Sequence, residues 1–460
     1  MMQQKLKSWK IFVTGFFITV GLFSCKTNTP ELKDKAGVLI QTENLYTNQT
    51  SGNDSLVNYS FYLPSGYNGK EALPVVFFVD PKGNGTQPLS NYKDLANKYG
   101  YILIGSNLIK NGLPATYTSA LFEALLNEVR SRFLIDEKRL FTSGFSGGAK
   151  LAILFAQQYR EIIGVAACGA SLPLMSNHEP SYYYVGIVGD KDFNYLESYQ
   201  TFSVFDQKGY DYTSVVFNGE HEWPPLASFE AAFTGFEIYS IKTERTTKNE
   251  AWLNKLWNQM QDSILAQEKR GDYFSQQQTL RQASRWFYGL KSIKELRQQE
   301  IRVQNQPNFI KLVNKKQRLI KKEVSLRTEF IRAIEQRDLD WWRSEVENIR
   351  KTITNEDLEV ALVSERLLNY ISMASYMLTK TDLDDGKLDE AYKKIQIYQM
   401  VDPENPDAYL MAARYFMLME DAEAMHTNFD KAKTLGFTDF ETYEKETSWR
   451  LLMETAEKNP

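Results

Sequence analysis

RLFTSGFSGGAKLAILFA, residues 139–156, is the stretch on which the reading of this chain turns. The apolar run up to Phe145 reads as a buried strand, and the run that follows reads as a helix. Between them Gly144, Ser146 and Gly148 make a G-x-S-x-G with the serine at the apex. A strand, a sharp turn and a helix in that order distinguish a nucleophile elbow from a chance match. The strained turn lifts the Ser146 hydroxyl above the sheet, and the two glycines leave room for the helix to pack close. The backbone N–H of Gly147 then points to where an oxyanion forms.

Working outward, short apolar runs alternate with amphipathic stretches from residue 37 onward. Strands are predicted at 37–45, 57–63, 74–80, 101–107, 139–145, 164–170, 182–189 and 213–218. Helices are predicted at 89–98, 115–133, 147–160, 195–208 and 226–243. Such alternation calls for a mostly parallel sheet covered on both faces, with the first two strands as an antiparallel edge. About eight strands, with the elbow after the fifth, is the α/β-hydrolase layout. No insertion is long enough for a large lid.

A serine hydroxyl is a weak nucleophile at neutral pH and needs a base held by an acid, in the chain order Ser, Asp or Glu, His. The chain has three histidines. His178 lies in a polar loop and His426 in a downstream helix, and both read as surface residues. His221, in VVFNGEHEWPP just past the last strand, stands where the base belongs. The acid follows the preceding strand, where YYYVGIVGDKDFNY offers Asp190 and Asp192. The G-x-x-D spacing from Gly189 favours Asp192, with Asp190 as a turn former. Trp223, two residues past the base, is a candidate for lining a substrate pocket.

SFYLPSGYNGKEALPVVFFVD, GFSGG, GDKD and GEHEWP together resemble the polyhydroxybutyrate depolymerase, feruloyl esterase and acetyl xylan esterase group of α/β-hydrolases, over about residues 37–243. The resemblance implies ester hydrolysis through an acyl-enzyme, with Ser146, Asp192 and His221 in triad positions and no cofactor. One departure matters. Members of that group usually follow the third strand with His-Gly and a residue whose N–H completes the oxyanion hole beside Gly147. Here the stretch is Val79-Asp80-Pro81-Lys82-Gly83. Pro81 has no N–H, which passes the expected role to Lys82, with Gly83 as the alternative.

Beyond residue 244 the strand pattern stops, and 244–370 reads as a helical region. Phe309, Leu312, Val313, Leu319, Ile320, Val324, Phe330, Ile331 and Ile334 recur at three-and-four spacing, as on one long amphipathic helix. Its Lys311, Lys315, Lys316, Lys321 and Lys322 read as a solvated face relieved by Glu323 and Glu329, not as a nucleic-acid surface. Further on, Ala391, Ile395, Tyr398 and Pro403 are matched 34 residues later by Met425, Phe429, Ala432 and Phe437. Tyr409, Ala412, Ala413 and Phe416 lie between. Residues 371–460 therefore resemble tetratricopeptide repeats, which implies a helical protein-docking module. A generic helical bundle is the plainer alternative.

The N-terminus carries Lys5, Lys7 and Lys10 and then an apolar run from Ile11 to Phe23, too short to span a membrane. It reads as a signal peptide, 1–24. LFSC resembles a bacterial lipobox with Cys25 as the lipidated residue, although Phe23 replaces the usual small residue. A polar tether, 25–36, follows. With Cys25 acylated, Cys168 has no disulfide partner. Export to the bacterial cell envelope, with lipid anchoring at the outer membrane, is the expectation. A net charge of −4 with 24% charged residues gives no nucleic-acid signal, and neither metal-ligand spacing nor a Walker lysine–serine pair is present. The expected substrate is a polysaccharide-linked or small acyl ester. The contrasting expectation is a weak or inactive hydrolase-fold scaffold that binds partners through its repeats.

Overall fold

The computed structural model describes residues 32–51, 54–171, 180–354 and 357–438. Eight strands form one sheet: β1 (Leu45–Ser51), β2 (Asp54–Tyr62), β3 (Leu73–Val79), β4 (Ile102–Ser106), β5 (Ile135–Phe145), β6 (Ile162–Cys168), β7 (Tyr183–Gly189) and β8 (Tyr212–Phe217). Their spatial order is β1-β2-β4-β3-β5-β6-β7-β8. β2 pairs antiparallel with β1 and β4, and the remaining pairs are parallel. This is the α/β-hydrolase sheet.

Interleaved with the strands are α1 (Thr86–Tyr99), α2 (Ala115–Arg132), α3 (Gly147–Gln158), α4 (Tyr195–Lys208) and α5 (Leu226–Lys242). Alternation along β3 shows how the two faces are filled. Phe77 meets Phe122 of α2 edge-on, whereas Phe78 packs with Tyr92 of α1 and Phe229 of α5. Successive side chains of a strand point to opposite faces, so a strand covered on both sides is apolar throughout.

The first strand differs from the sequence expectation. The run 37–45 is not a strand, and β1 starts where that run ends. Turns at Gly37 (φ 82°) and Glu43 (φ 61°) fold the segment back. Of its three consecutive aliphatic residues Ile40 is 4% exposed, while Val38 and Leu39 are 51% and 56% exposed. The true edge strand is polar, LYTNQTS, and carries little hydrophobic signal.

Residues 1–31, with the leader and Cys25, lie outside the described residues. The tether reading to residue 36 is too long. From Leu32 the chain is docked, because the buried Asp34 pairs with Arg132 Nε at 2.8 Å and Lys35 N–H donates to Arg132 O at 2.9 Å. Among the described residues no helix is long and apolar enough to cross a membrane.

Past the sheet the chain is helical: α6 (Glu250–Arg270), α7 (Tyr273–Phe287), α8 (Lys294–Gln304), α9 (Pro307–Gln336), α10 (Leu339–Ile353), α11 (Leu358–Asp384), α12 (Leu388–Val401), α13 (Pro406–Leu418) and α14 (Ala422–Thr434). α7 lies against the edge strand β8, where Trp286 Nε1 donates to Thr213 Oγ1 at 2.9 Å and to Tyr183 OH at 3.2 Å. Edge strands left open invite pairing with other chains, and α7 covers this one. α9 is the predicted long helix, with one correction. Glu323 is fully buried instead of solvated, between Arg327 and Arg366. In α13 the paired small residues separate two contacts. Ala412 faces Ala391 and Ile395 of α12, and Ala413 faces Met425 and Phe429 of α14.

Candidate active site

Ser146 stands between the end of β5 and the start of α3 with φ 53° and ψ −122°, a conformation an L-residue adopts only under constraint. The constraint is visible. Ser146 N–H donates to Cys168 O at 2.8 Å, strapping the turn to β6. A Cβ at Gly144 would stand 2.2 Å from Gly148 O, and one at Gly148 would stand 2.2 Å from Val79 O. Both flanking glycines are therefore fixed by backbone approach, as the motif requires. Gly147 N–H opens α3 and has no acceptor among the described residues.

The structure brings the three predicted side chains together. His221 Nε2 lies 2.9 Å from Ser146 Oγ, and its Nδ1 lies 3.0 and 2.9 Å from the two oxygens of Asp192. Asp192 is fully buried. It also accepts from Asn194 N–H at 2.7 Å, while Asn194 Nδ2 donates to Gly169 O at 2.7 Å. The imidazole is flanked by the rings of Phe145 and Phe193, at 4.6 and 4.2 Å between centroids. With Nδ1–H directed to the carboxylate, Nε2 is left as the acceptor for the serine proton.

Asp190 does not reach the imidazole. Its Oδ1 accepts from Gly219 N–H at 3.1 Å, and Lys191 N–H donates to Gly219 O at 3.0 Å. These bonds tie the acid loop to the loop that carries His221. Burial pushes the Asp190 carboxyl above its usual range.

Two predicted placements are corrected. Trp223 is turned into the core instead of standing free beside the base. It is buried, packs edge-on against Tyr92, and its Nε1 donates to Asp80 Oδ2 at 3.0 Å. An indole N–H needs a partner when buried, and Asp80 supplies it. The Lys82 N–H is likewise occupied, donating to Asp80 Oδ1 at 2.8 Å, with Asn84 N–H at 3.3 Å on the same oxygen. Gly83 N–H donates to Asp80 O at 3.0 Å. The loop after β3 is a closed turn around Asp80, whose charge is spent on these donors.

Sequence reasoning missed several residues around the site. Gly169 (φ 62°) has no room for a side chain, since a Cβ there would lie 2.8 Å from the Phe145 ring and 3.2 Å from both Asp192 Oδ2 and His221 Cε1. A glycine ending a strand was its only signal. The helical region also reaches the acid loop. Arg366 Nη1 donates to Asp190 O at 2.8 Å, Asn369 Nδ2 to Lys191 O at 2.9 Å and Arg327 Nη1 to Phe193 O at 2.6 Å. Nothing local in the sequence marks those contacts. His426 is half-buried in α14, away from this cluster, and His178 lies outside the described residues. Among the described residues no group of three His, Cys, Asp or Glu side chains is placed to hold a metal.

No protein-family model matches the chain, and no curated protein matches it. Among solved structures the chain is similar to an S-formylglutathione hydrolase from Staphylococcus aureus, at 14% identity and a TM-score of 0.35, over 44% of this chain and 99% of that one. It is similar to esterase B from Lactobacillus rhamnosis at 16% identity and a TM-score of 0.35, over 46% and 92%. A ferulic acid esterase matches at 16% identity and a TM-score of 0.32, over 38% and 88%. The fold itself rests on strand order and elbow geometry: the chain carries an α/β-hydrolase sheet followed by a helical region.

Proposed function

We propose that the chain is a serine hydrolase that cleaves carboxylic esters through an acyl-enzyme. The observation that carries this reading is the unbroken relay Ser146 Oγ–His221 Nε2, His221 Nδ1–Asp192, at 2.9 Å in each link. Ser146 attacks the ester carbonyl as His221 takes its proton, and the oxyanion accepts a hydrogen bond from Gly147 N–H. The imidazolium, held by Asp192, passes the proton to the departing alcohol, and water then repeats the sequence on the acyl-enzyme. Turnover of p-nitrophenyl acetate by the wild type, lost in Ser146→Ala together with fluorophosphonate labelling, is the expected result. Equal rates in the two proteins would sink the reading. Acetyl, feruloyl and hydroxyalkanoate esters are the substrates to profile.

The remaining parts of the proposal rest on sequence. Cys25 is the lipid-modified residue that anchors the protein at the bacterial envelope, and palmitate labelling lost in Cys25→Ser tests this. The stacked α12–α14 form a tetratricopeptide-like module for a protein partner. One observation favours the contrasting reading of a weak or inactive scaffold: the N–H groups of Lys82 and Gly83 both serve Asp80. A wild type that neither hydrolyses esters nor takes the fluorophosphonate label supports that reading.

A further inference from the structure

The closed turn at Asp80 leaves Gly147 N–H as a single oxyanion donor unless another group supplies the second. The geometry points to the side-chain carboxamide of Asn111, and we propose it as the second oxyanion donor. The inference rests on the esterase reading above.

Asn111 follows β4 on a loop tied to the one after β3, where its N–H donates to Pro81 O at 3.0 Å. Its carboxamide fills the space a side chain at position 147 would take. A Cβ on Gly147 would stand 2.0 Å from Asn111 Oδ1, 2.5 Å from Cγ and 2.6 Å from Nδ2. Among the described residues neither carboxamide atom has a hydrogen-bond partner, although neighbouring Asn107 uses its own amide on Asn58 and Gly85. Backbone bond lengths put a Cβ about 2.5 Å from its own nitrogen, so Nδ2 lies within about 5 Å of Gly147 N. Two donors that share one oxygen at ordinary hydrogen-bond length stand up to about 6 Å apart. A half-turn of the amide plane exchanges Oδ1 and Nδ2 where the donor must face the oxygen.

The step balances without another reactant. The Ser146 Oγ–carbon bond forms, the carbonyl π pair moves onto oxygen, and the serine proton goes to His221 Nε2. Gly147 N–H and Asn111 Nδ2–H then hold the oxyanion. The same geometry accounts for the glycine at 147, since any side chain there would displace the amide.

The test uses the full chain with Asn111→Ala and Asn111→Asp, compared with wild type and Ser146→Ala on p-nitrophenyl acetate. Asn111 is exposed, and circular dichroism with thermal melting checks that both variants fold. Losing one oxyanion donor lowers kcat by about 10²–10³ with KM within about twofold, the signature of an interaction made only in the transition state. Asn111→Asp, isosteric but unable to donate when ionised, falls at least as far. An Asn111→Ala kcat within about threefold of an active wild type overturns the donor assignment and leaves the esterase reading intact. A wild type no faster than Ser146→Ala overturns both.

Discussion

Asp190 and Asp192 stand two residues apart on one loop and do different work, which their hydrogen bonds make testable. Asp192→Asn should lower kcat by about 10⁴, because the amide favours the wrong imidazole tautomer. Asp190→Asn keeps an oxygen for Gly219 N–H and should leave activity within about threefold. Stability gives a second check. Burial raises the Asp190 carboxyl pKa in the folded protein above its unfolded value of 3.8, so ionising it costs folding energy. Relative to wild type, Asp190→Asn should gain stability as pH rises through the native titration of Asp190 and level off above it. Urea unfolding from pH 3 to pH 7 measures that difference. Trp223→Phe keeps an aromatic ring but orphans Asp80 Oδ2, and should cost about 1–3 kcal/mol in the same experiment. The juxtaposition of Ser146, His221 and Asp192 was legible because three constraints converge on it: elbow glycines, chain order and only three histidines. The roles of Trp223 and Lys82 were not, because both depend on where the Asp80 carboxylate turns.

At the scale of elements, most strands and helices were readable from period and composition, and the failures have local causes. The run 37–45 looked like a strand because three aliphatics are adjacent, yet left-handed turns on both sides limit it to one antiparallel bridge, Leu39 with Lys33. β1 was missed because its polar sequence is held by its neighbour alone. α7 shows what period cannot reveal, namely which surface a helix meets. Trp286 packs into a cluster with Leu253 and Leu280 while its Nε1 serves Thr213 at the sheet edge. Trp286→Ala should destabilise the protein by about 3–5 kcal/mol, read from chemical unfolding, with β8 left uncovered. A value below about 1 kcal/mol would show that α7 is not what holds that edge.

Across the whole molecule the helical region is tied to the loop that carries Asp192. Buried Glu323 of α9 pairs with Arg327 at 2.6 Å and with Arg366 of α11 at 2.7 Å. The free ends of those guanidiniums hold Phe193 O and Asp190 O, on either side of Asp192. The Lys191–Glu365 ion pair, at 3.0 Å, adds a further strap. Arg366→Leu leaves the buried Glu323 with one cation and should cost about 3–5 kcal/mol. Arg366→Lys keeps the charge but not the fork, and should lower kcat per titrated active site by about tenfold or more through a displaced Asp192. That loss should vanish in an Asp192→Asn background, since both changes act through one group. Additive losses would separate the helices from the catalytic loop. Burial pushes the Asp407 carboxyl, at the start of α13, above its usual range, and the charge of Lys82 pulls it back.

What the sequence determined by itself was the sheet, the elbow and the identity of the three relay residues, because period, turn chemistry and chain order are local or one-dimensional properties. What the tertiary structure alone decided was where polar atoms meet across long separations. Asp80 takes up the loop's N–H groups and Trp223, Gly169 vacates the space for the relay, and Glu323 is buried to align two arginines on the acid loop. Asp80 with Trp223, Gly169 with Asp192 and His221, and Glu323 with Arg366 bring together residues tens to more than a hundred positions apart, and contacts of that kind leave no period for a sequence to display.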